Sequence, residues 1–64
     1  MADPPIADRL ARLRHDLSNP LSAILAETQL LLLNQDKYDE ETVSTLKQIE
    51  ALARRMREML QSLG

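Results

Sequence analysis

The side chain best suited to act as a nucleophile near neutral pH in this 64-residue chain is its single imidazole, His15. Asp16 follows directly, and Asn19 lies four residues on, one turn along any helix that carries them both. On such a helix the Cβ atoms of His15 and Asn19 are ~5–6 Å apart, with Arg12 and Ser22 on the same face and Asp16 beside it. An exposed imidazole keeps a nucleophilic nitrogen free at neutral pH. The ordinary alternative is a surface histidine with no chemistry. Other chemistries are excluded outright. With no Cys there is no disulfide, thiolate zinc site or thiol nucleophile, and one His cannot make a multi-histidine metal site. The lone glycine is Gly64, so no glycine-rich loop cradles a nucleotide phosphate. A chain this short cannot build a nucleotide pocket beside a catalytic core. Any part it takes in catalysis is as one component of something larger.

The elements that must position His15 are helices. Leu and Ala supply most of the apolar residues, Tyr38 is the only aromatic, and no glycine is available inside the chain for tight turns. Asp3 is a favoured N-cap, and Pro4 and Pro5 are tolerated in a first turn. From there Ile6, Leu10, Leu13, Leu17, Leu21, Ile24, Thr28 and Leu31 recur at helical spacing, within about 40° of Leu17, and Leu25 and Leu32 widen this seam on one side. The periodicity predicts a first helix over about 4–33, with His15 near 160° from Leu17. Pro20 interrupts the pattern. It deletes one N–H bond, frees the carbonyl of Asp16 and bends the axis; because the seam stays in phase on both sides, a kinked single helix is expected rather than a break.

Residues 34–39 are polar and read as the connection, with Asp39 as N-cap and Glu40 and Glu41 at the positive end of a second helix. That helix, about 40–62, carries Val43, Leu46, Ile49, Ala53, Met56, Leu60 and Leu63 on one face. Leu52 and Met59 flank them, and Glu50–Arg54 and Arg54–Glu58 are i,i+4 pairs outside. With no linker or repeat, residues 1–64 form one all-α domain, an antiparallel helical hairpin. One hairpin cannot cover both of its seams, and Leu25, Leu32, Leu52 and Met59 are expected to stay wet. Two copies joined as a four-helix bundle would bury them, so a homodimer is expected.

The net charge of −2 singles out neither nucleic acid nor an anionic membrane as partner. The longest apolar run, Leu30 to Leu33, is far short of the ~20 residues of a membrane span. Residues 1–5 carry no signal-peptide pattern, which makes the cytoplasm the default location, although a parent protein could be membrane-anchored.

The sequence His15-Asp16-Leu17-Ser18-Asn19-Pro20-Leu21 resembles the H-box of sensor histidine kinases: His, Asp or Glu, an apolar residue, any residue, Thr or Asn, Pro, Leu. Every constrained position matches. The likeness extends over essentially the whole chain, because a long Leu-rich first helix and a second amphipathic helix with a basic, Met-containing end are also shared. The chain therefore resembles a dimerisation and histidine-phosphotransfer (DHp, HisKA-type) domain of two-component systems.

The resemblance implies roles. His15 would be the phosphoacceptor, attacking the γ-phosphate of ATP, and Asp16 the acid/base neighbour. Asn19 would position water for hydrolysing a response regulator's aspartyl-phosphate, and the bend at Pro20 would let the histidine reorient between steps. ATP and Mg2+ would come with a separate catalytic domain, since this chain has no ATP-binding motif and binds no cofactor itself; alone it should not autophosphorylate. The remaining partner would be a receiver domain. Ser22, Ala23, Ala26, Leu30 and Leu33 are candidates for its docking groove, where small residues allow close approach, although Leu30 and Leu33 could instead thicken a bundle core. A hairpin folded at about 36–37 brings Arg54, Arg55 and Arg57 to the level of residues 16–19, near Arg9, Arg12 and Arg14. The cluster would attract phosphate or an acidic partner, or simply form solvated pairs with Glu50 and Glu58. Two alternatives stand beside the kinase domain: a stand-alone phosphotransfer or regulatory protein, and a purely structural helical dimerisation module.

Overall fold

A computed structural model describes residues 5–63. Two α-helices, α1 (Ile6–Leu32) and α2 (Glu40–Gln61), pack side by side and are joined by a segment containing one 3-10 turn, Gln35–Lys37. Among the described residues there is no strand. The all-α hairpin expected from composition is the fold. The first helix begins two residues later than the periodicity implied. Pro5 precedes it with extended backbone and gives its carbonyl to the N–H groups of Asp8 and Arg9, at 3.0 and 3.1 Å. The proposed cap Asp3 and the adjacent Pro4 lie outside the described residues. Pro20 sits inside α1 without ending it.

The chain leaves α1 without needing a glycine. Leu33 keeps right-handed helical angles, and its N–H bonds the Gln29 carbonyl at 3.1 Å. The path then tightens into the 3-10 turn, where Lys37 donates to Asn34 and Tyr38 to Gln35, both at 3.0 Å. Asp39 is the N-cap of α2, its carboxylate accepting the Thr42 N–H at 2.8 Å. Thr42, through its side chain first and its backbone N–H second, holds the Asp39 pKa below the usual carboxylate value. Glu40 and Glu41 follow in the first turn, where the helix dipole favours negative charge.

The helices meet along Leu10, Arg14, Ser18, Leu21, Leu25, Thr28 and Leu32 of α1 and Val43, Leu46, Glu50, Ala53 and Leu60 of α2, all buried or half-buried. Leu21, Leu25 and Ala53 form the core, with Leu60 packed against it. The small Ala53 side chain lets the helix axes approach, and its place opposite Leu21 and Leu25 agrees with a fold at about 36–37. The hydroxyl of buried Thr28 donates to the Ile24 carbonyl at 2.7 Å, and among the described residues no buried side-chain polar atom lacks a partner.

This contact line corrects one expectation. Leu25 is 5% exposed and Leu32 half-buried, rather than wet, whereas Leu13, Leu17, Ile24 and Leu31 are the residues left open, Leu17 at 45%. The seam in use is thus rotated about 40–60° around α1 from the one centred on Leu17. The physical reason is that α1 carries two adjacent leucine flanks, and a single partner helix covers only one. Leu52 and Met59 are open as expected, at 61% and 60%. The resulting rod measures 56 × 16 × 12 Å, and its radius of gyration of 16.0 Å exceeds the ~11 Å of a compact domain of this length.

Candidate phosphoacceptor site

His15 lies in the third turn of α1, and its side chain is 76% exposed. The helical rotation explains why. Arg14 and Ser18 face α2, so His15 projects to one side of the contact line, on the flank away from Leu17 and Ile24. Its Nδ1 is 3.8 Å from Oδ1 of Asp16, itself 67% exposed. That separation is an electrostatic contact with a protonated ring and is too long for a hydrogen bond. Nδ1 is thus the ring nitrogen on the Asp16 side, and the ring as a whole stands in solvent. Asn19 is exposed one turn further on, and Pro20, also exposed, follows it. Proline offers no N–H to the carbonyl of Asp16, so the backbone beside His15 lacks one helix hydrogen bond.

Two faces of the hairpin are now distinguishable. Leu17, Pro20, Leu21 and Ile24 line an open groove of about 540 Å³ together with Met56, Met59, Leu60 and Leu63. Because these flanks of both helices meet in one groove, the opposite flanks share the other side of the molecule. His15, Ser22, Ala26 and Leu33 stand there on α1, and Glu50, Arg54 and Arg57 on α2. Ala23 and Leu30 point from the back of α1, and Arg55 from the back of α2. Leu30 and Leu33 do not pack on α2; both are open in the hairpin.

The arginines are placed near the histidine's side without touching it. Of the two pairings open to Arg54, the one with Glu50 is formed, at 3.4 Å. Arg12, Arg55 and Arg57 are exposed, and among the described residues no hydrogen bond or ion pair links an α2 arginine to His15. One connection escaped the sequence reading. Arg14 reaches across the hairpin, and its Nη1 donates to the backbone carbonyl of Leu63. The available signal was a charged residue at a seam position, between Leu10 and Leu21.

Among the described residues no group of His, Asp and Glu is arranged to hold a metal ion, and no helix is long and apolar enough to cross a membrane. What the arrangement can do is offer a single exposed imidazole, a potential nucleophile, with a carboxylate near its Nδ1. Neither the search of curated proteins nor that of solved structures found a match. Comparison with family models matches residues 7–63 to the His Kinase A (phospho-acceptor) domain, a stretch that contains the H-box and both helices, and the chain belongs to that family.

Proposed function

We propose that His15 is the residue phosphorylated in this histidine-kinase phosphoacceptor domain. In this reading Nε2 attacks the γ-phosphorus of ATP presented with Mg2+ by a separate catalytic domain, the N–P bond forms, and ADP leaves. Asp16 accepts the Nδ1 proton of the resulting imidazolium, once its carboxylate closes from 3.8 Å to hydrogen-bond distance. The phosphoryl group then passes to an aspartate of a response-regulator receiver domain. Asn19 directs water at the aspartyl-phosphate in the separate, signal-ending hydrolysis, which releases inorganic phosphate. Ser22, Ala23, Ala26, Leu30 and Leu33 form the receiver's docking strip. Arg12, Arg54, Arg55 and Arg57 supply positive potential that speeds encounter. The domain works in the cytoplasm, where ATP is available.

The working form is a homodimeric four-helix bundle. The solvent-accessible surface of one chain is 5343 Å², against about 4,200 Å² for a compact monomer of its 7.3 kDa mass. The excess exceeds the ~800 Å² per partner of a standard stable interface. It includes the groove of Leu17, Ile24, Met56 and Met59, an apolar surface that a second hairpin would cover.

The observation that carries the reading is that His15 and this groove lie on opposite flanks of α1, so pairing through the groove leaves the imidazole accessible. Mixing the chain with an ATP-binding catalytic domain, labelled ATP and a receiver domain tests it. Acid-labile, base-stable label is expected on the wild-type chain, absent from His15→Gln, and transferable to the receiver. Persistent label on His15→Gln would overturn the assignment.

A further inference from the structure

Arg14 is out of character for its position. It is half-buried on the line along which α1 meets α2, in phase with Leu10, Leu21 and Leu25. Its guanidinium crosses to the Leu63 carbonyl, just beyond the last turn of α2. The last turn of α2 has no basic residue of its own, so the cation that a helix C-terminus favours is delivered from α1. The same stretch of α1 has little else to hold it. Ser18 presents a small polar side chain to the contact, and the Leu21–Leu25–Ala53 core lies further toward the turn. Pro20 stands between that core and Arg14, removing a helix hydrogen bond.

We infer that Arg14 is a positioning residue for phosphoryl transfer, a latch that sets the rotation of the helical turn bearing His15. The inference rests on His15 being the phosphoacceptor. Successive residues of a helix are separated by about 100° around its axis, so anchoring Arg14 on α2 fixes the direction in which His15 leaves α1. An in-line attack depends on that direction, because a small misplacement of the nucleophile costs much of the rate. With the latch released, the turn is restrained by half-buried Leu10 and Ser18 and the partly covered Leu17, and the imidazole is presented over a wider range of angles. The coupling also runs the other way: a displacement of the chain at Leu63 is passed to the residue next to His15.

The test uses the full chain and its Arg14→Gln and Arg14→Lys variants, labelled in trans by a histidine-kinase catalytic domain with labelled ATP. For Arg14→Gln the maximal labelling rate should fall about tenfold. The catalytic-domain concentration giving half-maximal rate should be unchanged, as should the melting temperature and the sedimentation coefficient. Lysine keeps a cationic donor and should restore most of the rate. The carbonyl carbon resonance of Leu63 should move in Arg14→Gln and return toward the wild-type position in Arg14→Lys. A wild-type rate in Arg14→Gln would overturn this inference alone. A rate loss that follows a lowered melting temperature, or a raised half-maximal concentration, would equally overturn it in favour of a stabilising or docking role. Absence of label on the wild-type chain would overturn the phosphoacceptor reading as well.

Discussion

His15 and Leu17, two residues apart in sequence, leave α1 on opposite flanks, about 160° around the helix axis. Leu17 lines the apolar groove shared with Met56 and Met59, whereas the His15 side chain stands in solvent on the other side. The proposed function therefore places assembly and chemistry on separate surfaces of one helix. Substitutions on either surface should affect one property and spare the other.

Replacing Ile24 with Glu places a carboxylate in the groove, where pairing would bury it without a partner. Sedimentation should show the wild-type chain as a dimer at micromolar concentration and Ile24→Glu as a monomer. His15→Gln should remain dimeric. A wild-type chain that sediments as a stable monomer would refute the bundle.

Asp16 Oδ1 lies 3.8 Å from His15 Nδ1 and its side chain is solvent-exposed, so under the proposed mechanism its replacement should alter the chemistry and spare the fold. Asp16→Asn keeps the shape and removes the proton acceptor. The maximal rate of His15 labelling should drop about 10²-fold, in line with the contribution of a general base, with helicity by circular dichroism unchanged. A rate within twofold of wild type would remove Asp16 from the mechanism.

Leu25 and Leu33 differ in burial although both belong to the leucine-rich stretch of α1 and its C-cap. Leu25→Ala empties a site in the core and should cost about 2–4 kcal/mol in denaturant unfolding. Leu33→Ala, at an exposed position, should change stability by no more than about 0.5 kcal/mol. If Leu33→Ala instead slows transfer to a receiver domain at equal stability, its place in the docking strip is supported.

The Asp39 cap makes the start of α2 sensitive to acid. Its folded pKa is depressed by the hydrogen bonds from Thr42, so its contribution is present above the unfolded value of 3.8 and is lost as pH falls through the lower, folded value. Thermal melts of the wild type and Asp39→Asn should therefore differ in their response to pH below about 4 and run parallel above about 5. Asparagine also caps helices, so Asp39→Asn should retain helicity at neutral pH while Asp39→Ala loses part of it.

Much of the candidate site's placement was readable in sequence because it is local. The H-box is a run of neighbours on one helix, and helical rotation alone put His15 and Asn19 on one face and Leu17 on another. Helix 2 was equally legible at its start, since Asp39 bonds a backbone group only three residues away. The start of α1 was less so, because the extended backbone of Pro5 sets the first turn at Ile6.

Tertiary structure decided which leucines became core. The two flanks of α1, Leu13–Leu17–Ile24–Leu31 and Leu21–Leu25–Thr28–Leu32, have nearly the same composition and periodicity, so hydrophobicity cannot rank them. The choice falls to the close approach allowed by Ala53, whose small side chain admits Leu21 and Leu25. The Arg14–Leu63 bond was hidden for a related reason. It joins residues 49 positions apart, and a spacing pattern on one helix carries no information about which carbonyl of the other lies opposite. Sequence by itself determined the two helices, the cap between them and the side of α1 that His15 takes relative to Leu17, since each follows from the covalent geometry of a few adjacent residues. Which flank was buried and which helix end was latched were settled only when α2 folded back, because both depend on how closely two separate surfaces fit.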